Sequence, residues 1–475
     1  MGFAGQLKLL WGSILDIVPS LPTHRARKTP LDASASAAAA AANSCLPCIL
    51  LNSDPEIGSR RNNTTAVGQR RDNLTIEASF CYAPPPLPSN LFVHCPGVAF
   101  PCGSIIVSTS DDLFLFRIPV AVEPPPESIG FVDCDYADCD YIIYRSGRSP
   151  SLTRLPNPKA NFYDDTVGLL SRAGGLFTVA ALIARSSTKF TLHRFDSEAG
   201  NWSMNTVSLD APPKPYPRRI PMNALRLNHH MTTTVIAFGG SKSGTMGWVD
   251  LYSGILLYDL FPEDQERPPM LRGLRHMRLP LPMDLGKSVT ELGCPKSIRG
   301  IASVVKDGKP CLRLAGLQIV EQRLPHDDME TNMPCYRVDN WAITTWSNTM
   351  VDSDYSSDNW QEDFTVWAPD IIISDAVRSE LLASGLLHRK PSEEGEEMVE
   401  LALQNLVVSE PTPSLNGDEE VVYLMARPKY FHPKGWALAI DIKNHTLLDV
   451  AEFGTAKAGM FSDVTYRPSA ISKYI

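Results

Sequence analysis

The sequence predicts a mainly all-β chain: a β-propeller-like body of repeated antiparallel sheets, with a short helical acidic insertion and a low-complexity N-terminal leader. Three observations carry this. Short runs rich in β-branched and aromatic residues recur between Gly, Pro, Asn, Asp and Ser. A strand–acid–turn–strand unit appears three times. Proline is heavily used, with 39 residues, which favours many short connections over long helices.

Residues 1–44 form the leader. A helix-prone start runs into the alanine tract "SASAAAAAANS", and alanine, Pro47 and the polar Asn43 and Ser44 speak against a membrane span. From about Cys45 to 475 the texture is that of the body. Strands are expected in "LTIEASFCYA" (74–83), "SIIVSTSDDLFLFRIPV" (104–120), "DYIIYRS" (140–146), "LFTVAALIA" (176–184), "FTLHRFD" (190–196) and "TTTVIAFGG" (232–240). The repeated unit has Phe195-Asp196 before a polar turn and Trp202, Val249-Asp250 before Ser253-Gly254 and Ile255, and Ile440-Asp441 before Asn444 and Leu447. An Asp ending a strand can accept hydrogen bonds from turn amides two or three residues on, which fixes the hairpin. The large apolar residue after the turn then packs on the next sheet. The acid-to-Trp spacing and the double glycine of "VIAFGG" resemble the outer hairpin of a kelch-like propeller blade. The stretch from Asp250 to Asp441 is long enough for about four blades of ~45 residues.

One region departs from this texture. Val377, Leu381, Leu382 and Leu386 lie at helical spacing within 374–388, and "EEGEEMVELALQNLVV" (393–408) reads as a second helix. These place a helical acidic insertion at about 374–420 on one rim. Strands return over 421–475. Acids outnumber bases between 351 and 420, so this flank is expected to be solvated and negative.

A net charge of −9 disfavours a nucleic-acid surface, which needs a basic face. The ten cysteines have no regular framework and are expected to be reduced, as in a cytoplasmic or nuclear protein. Residues 1–20 lack a secretory pattern, so the sequons at Asn62, Asn63, Asn73, Asn201 and Asn444 would matter only in a secreted chain. The mixture of Arg, Ser and Ala in "HRARKTPLDASAS" keeps an organelle transit peptide as the alternative for the leader.

The segments "GWVDLYSGILLYDL", "RLPLP", "SIRGIASVVKDGKPCLRLAGLQ", "WAITTWS" and "WQEDFTVWAPDIIIS" resemble the plant family called domain of unknown function 1618. The flanks "ASFCYAPPP", "DLFLFRIPV", "GWALAIDIKNHTLLDVAEFG" and "TYRPSAISKYI" resemble it too, so the likeness covers nearly all of 45–475, with a family core at about 247–375. Two places depart from the family pattern: "CLPCILLNSD" stands where a Trp-bearing strand is usual, and Tyr252 where a Trp is usual. The resemblance implies a propeller-like fold and brings no catalytic residues with it.

Candidate chemistry is sparse, and no catalytic, cofactor-binding or metal-ligating residue is assigned. Asp250 and Asp259 could act as general acid and base only if buried or close together; turn stabilisation is the expectation. "GGSKSGTM" (239–246) has phosphate-loop glycines, but Thr245 and Met246 stand where Lys and Ser/Thr are needed, and a strand follows instead of a helix. "CLPC" (45–48) would need Cys81, His94, Cys95 or Cys102 to complete a zinc site, and the spacing is irregular. "DCDYADCDY" (133–141) lacks the glycine and terminal Glu of a calcium loop and reads as a charged surface loop. His229 and His230 would point to opposite faces of a strand. Trp341, Trp346, Trp360 and Trp367 are expected in blade cores.

The leading expectation is therefore a non-enzymatic, monomeric propeller-like scaffold for an unknown protein partner, binding neither nucleic acid nor membrane and using no cofactor. Two alternatives stand beside it. An orphan hydrolase or lyase would need carboxylates or histidines converging in the central channel. A ubiquitin-ligase adaptor would need an F-box, for which "LKLLWGSILDIVPSLP" (7–22) is too short.

Overall fold

Six mainly antiparallel sheets account for nearly all the regular structure among the described residues, and each packs against the next. The computed structural model describes residues 48–98, 104–120, 139–158, 160–209, 230–238, 244–261, 273–280, 294–327, 334–349, 359–387, 389–391, 398–400, 402–430, 432–455 and 466–474. The expected leader, 1–44, lies outside them.

The chain forms a six-bladed β-propeller. Blade 2 is Ile105–Ser110, Leu113–Pro119, Cys139–Arg145 and Ser151–Arg154; blade 3 is Val167–Ser171, Phe177–Ala184, Lys189–Asp196 and Asn201–Ser208. Blade 4 is Thr234–Phe238, Thr245–Asp250, Gly254–Asp259 and Arg275–Arg278. Blade 5 is Arg299–Lys306, Lys309–Asp327, Pro334–Thr349 and Gln361–Trp367. Blade 6 is Val407–Pro413, Val421–Arg427, Lys434–Asp441 and Thr446–Thr455. In each of these the first strand is innermost, and the innermost strands adjoin one another from blade 2 to blade 6.

Blade 1 is assembled from both ends of the body. Its sheet runs Tyr466–Ser469, Ile49–Asn52, Pro88–His94, Thr75–Cys81 and Ala66–Gln69, with Tyr466–Ser469 innermost and paired antiparallel to Ile49–Asn52. The last strand therefore closes the ring begun by the first. Closure completes the ring and leaves only short inner strand edges, which offer little for edge-to-edge aggregation.

Burial follows the same symmetry. One apolar cluster sits at each of the six blade interfaces: Phe80, Phe114 and Tyr144 between blades 1 and 2, and Leu115, Phe177 and Phe195 between 2 and 3. Leu182, Trp248 and Leu256 lie between blades 3 and 4, and Val249, Leu314 and Trp346 between 4 and 5. Trp341, Leu438 and Trp436 lie between 5 and 6, and Leu50, Tyr423 and Tyr466 between 6 and 1. A strand buried on both faces needs apolar residues in succession, and Leu113–Pro119 is buried at every position. Trp341 and Trp346 are in these cores as expected, Trp360 packs partly buried beside blade 4, and Trp367 is half-buried.

The acid-ended hairpins form by the expected chemistry. Asp196 accepts from the Glu198 amide, Asp250 from the Tyr252 amide and Asp441 from the Asn444 amide, each at 3.0 Å. They are not one repeated position, however. Asp196 and Asp441 end the third strands of their blades, whereas Asp250 ends a second strand. Local turn chemistry serves any hairpin, so it recurs without marking the blade period. The stretch from Asp250 to Asp441 accordingly holds the rest of blade 4, blade 5, the insertion and most of blade 6, in place of four blades.

The helix is present as Asp375–Ala383, with Ser374 Oγ capping the Val377 amide. Val377 and Leu381 are buried in the blade 5–6 core, and Gly385 at φ 79° ends it with the Leu387 amide returning to the Leu381 carbonyl. The second helix expected over 393–408 is not formed in its described part. That part is strand Met398–Glu400, a turn Leu403–Asn405, and the start of the innermost strand Val407–Pro413. Pairing of Val407 and Val408 with Arg427 and Ala426 overrides the local helical pattern. Ile372–Ile373 adds a parallel fifth strand to the outer edge of blade 6. No described helix is long and apolar enough to cross a membrane.

Candidate functional site

The central channel is the first place to seek chemistry in a propeller. Its six innermost strands carry four charged side chains: Arg299, Lys306, Glu410 and Arg467. Arg299 is spent on structure, donating to the carbonyls of Leu251 and Pro280 at 2.6 and 2.7 Å. Lys306 pairs with Glu420. One carboxylate and no histidine on these strands do not make an acid–base pair.

The acids of blade 4 do not make one either. Asp250 and Asp259 stand at opposite ends of one ladder, opposite Gly254 and Thr245 respectively. Asp250 is buried, at 1% exposure, and accepts from the Met231 and Tyr252 amides, the second of these being the expected turn stabilisation. Asp259 accepts from Thr245 Oγ1 at 2.5 Å and pairs with Arg275 at 3.0 Å.

The other sequence candidates are scattered. Within 133–141 the described residues begin at Cys139, and Asp140 is fully buried against Arg71, not part of a charged surface loop. Cys45, Cys102, His229 and the start of the glycine segment (239–243) lie outside the described residues. Cys48 and Cys95 are buried and Cys81 is half-buried. Among the described residues no three His, Cys, Asp or Glu side chains are grouped to hold a metal ion.

Two histidines in blade 4 give a pH prediction. Burial, then His230, then Arg278 push the His276 imidazole down to about 4, with Asp250 opposing. Burial also lowers His230. The unfolded imidazole titrates near 6.5, so both are neutral in either state above that pH, and the fold carries no penalty. As pH falls from about 6.5 towards 4 the unfolded chain takes up protons that the fold refuses, and stability is lost. His276 alone should cost about 2 kcal/mol by pH 5. Urea midpoints at pH 7 and pH 5 should show a smaller acid loss in His276→Gln than in the parent; equal losses would exclude this source.

A concavity lies elsewhere, where loops of blades 5, 6 and 1 meet. It is a cleft of about 950 Å³. Blade 5 contributes Asp307, Glu362 and Asp363; the loop joining the first two strands of blade 6 contributes Asp418, Glu419 and Glu420. The far hairpin of blade 6 adds Asp441 and Asp449, and blade 1 adds Pro84 and Pro85. Among the described residues, Lys306 and Lys443 are the cations on its wall. Phe364, Val421, Tyr423, Ala439 and Leu448 supply apolar surface.

This wall is held in place from below. Arg313 of blade 5, almost fully buried, donates to the carbonyls of Asn416 (3.1 Å), Gly417 (2.7 Å) and Glu419, and to Glu420 Oε1 at 2.8 Å. A planar fork with five donors suits this task, whereas a lysine offers one point. Gly417 lies so close to blade 5 that a Cβ there would stand 1.9 Å from the Val305 carbonyl oxygen. The Asp307-Gly308 turn (φ 51° and 74°) supplies the tight hairpin beside it. Burial pushes the Asp363 carboxyl up, the hydrogen bond from Ser347 opposes this, and the Glu420 charge adds to it. Arg313→Ala should therefore cost about 2–4 kcal/mol, because it strands buried carbonyls. Hydrogen exchange should speed selectively at 414–420, and Arg313→Lys should not rescue it; unchanged exchange there would refute the clamp.

The sequence showed half of this wall. Glu362, Asp363 and Asp418 to Glu420 belong to the acidic flank already noted, but Asp307, Asp441 and Asp449 join them only through the fold. The clamp Arg313 carried no sequence signal.

Residues 248–423 match the family described as Protein of unknown function (DUF1618). Over this stretch the chain is a DUF1618 protein. No curated protein matches it. The DUF1618 stretch begins in the second strand of blade 4 and runs through blade 5 and the insertion into the second strand of blade 6. It contains Arg313, the clamped loop and six of the cleft's eight acids, and it extends past the core expected to end at 375.

Proposed function

We propose that this DUF1618 protein is a non-enzymatic propeller scaffold that binds a protein partner through the loops of blades 5, 6 and 1. The observation that carries this reading is the preformed cleft, built from loops of three blades and pinned by Arg313. A rigid sheet body holding loops in fixed positions loses little entropy on binding. The poverty of the innermost strands in acid–base groups favours binding over catalysis. The irregular spacing of the cysteines, without a disulfide framework in the sequence, suits a reducing compartment, cytoplasm or nucleus, and the chain is taken as a monomer.

Cross-linking the intact chain in native extract, followed by peptide mapping, tests this. Cross-links should concentrate at Lys306 and Lys443 on the cleft wall. Cross-links spread evenly over all six blades, or substrate turnover by the purified chain without a captured partner, would reject the scaffold reading.

A further inference from the structure

The cleft's chemistry narrows the kind of partner. Of its eight carboxylates, only Glu420 meets a cation among the described residues, through Lys306 at 3.1 Å and Arg313 at 2.8 Å. Elsewhere several half-buried or buried acids are paired with cations: Asp140 with Arg71, Asp164 with Arg117, Asp196 with Arg172 and Arg194, Asp259 with Arg275. The cleft therefore holds more acids than cations in one concavity, where the field on an approaching cation is strongest.

A second feature is independent of that charge. Between the acids run apolar side chains from separate strands: Phe364 of blade 5, and Val421 and Leu448 of blade 6. Leu448 stays 47% exposed, while Val421 is buried beneath. Pro84 and Pro85 of blade 1 close the far side. A bare polycation would use the acids and leave this apolar surface wet. An extended peptide, whose side chains alternate in direction, can satisfy both.

We infer that the cleft takes an extended protein segment in which lysine or arginine alternates with apolar residues. This rests on the scaffold reading above and specifies its partner. The cations would neutralise Glu362, Asp363 and Asp418, and the apolar side chains would cover Leu448 and Phe364. Charge complementarity of this kind sets the rate of encounter and the choice of partner more than the final affinity.

Fluorescence anisotropy on the full chain tests it, with a labelled eight-residue peptide of alternating lysine and leucine as the probe. Binding should weaken as salt rises from about 0.05 to about 0.3 M. The double variant Glu362→Lys/Asp418→Lys should bind about tenfold more weakly or worse. Leu448→Glu, at an exposed site, should bind as well as or better than the parent if charge alone matters, and more weakly if the apolar surface is used; the second result is expected. Glu198→Lys, exposed on blade 3, should change nothing. Three results would overturn the inference: equal binding by the double variant, tighter binding of a glutamate–leucine peptide, and spermine binding more tightly than the peptide. Cross-linking of a native partner by both parent and double variant to the same extent would also overturn it while leaving the scaffold reading standing. Failure of the parent to capture any partner would tell against the scaffold itself.

Discussion

Deleting residues 466–475 should abolish the cooperative unfolding transition of the body. Tyr466–Ser469 is the innermost strand of blade 1, laddered residue for residue to Ile49–Asn52. Tyr466 is 1% exposed, packs on Phe453 in the blade 6–1 core and donates its hydroxyl to the Glu410 carbonyl at 3.0 Å. Ile471, fully buried, reaches the blade 1–2 core on the other side. The deletion thus opens two of six interfaces and leaves an inner strand edge unpaired. Tyr466→Ala alone should cost about 3–5 kcal/mol, the range for removing a large buried aromatic. Near-ultraviolet circular dichroism during heating reads both variants. A deletion variant melting at the parent's midpoint with the parent's sharpness would show that the ring does not depend on this strand.

Gly300→Ala is the single-atom counterpart, with an expected loss of about 3 kcal/mol or more. Gly300 lies on the innermost strand of blade 5, and a Cβ there would stand 1.7 Å from the Pro411 carbonyl oxygen of blade 6. That atom belongs to backbone, so no rotamer change relieves the overlap; the two strands must part. Gly308→Ala is the matched control. Gly308 has φ 74° and no atom within reach of its Cβ, so only backbone preference is lost, about 1 kcal/mol. Denaturant midpoints should separate the two by more than twofold in free energy. Equal losses would mean that the close approach of blades 5 and 6 is not required.

Much of this protein was visible in its residues. Strand runs such as 104–120 and 176–184 are apolar enough to be buried on both faces, and the structure uses them as inner and second strands. The helix at 375–383 was legible because its cap, its periodic Val377 and Leu381 and its terminal Gly385 agree. The apolar spacing of 393–408 fits a helix as well as a strand, so the local pattern does not settle it. Its strand pairing is supplied by Val421–Arg427, which nothing local reveals.

The local sequence by itself determined the all-β character, the turn chemistry of Asp196, Asp250 and Asp441, and the absence of a spaced catalytic motif. These depend on neighbours a few residues away, whose influence composition and period record. Only the tertiary structure decided the number of blades, the closure of blade 1 by residues 466–469, and the meeting of Asp307, Asp418 and Asp449 in one cleft. Those contacts join residues far apart in the chain, and the free energy that selects them comes from burying blade faces against one another, a quantity that no single stretch contains.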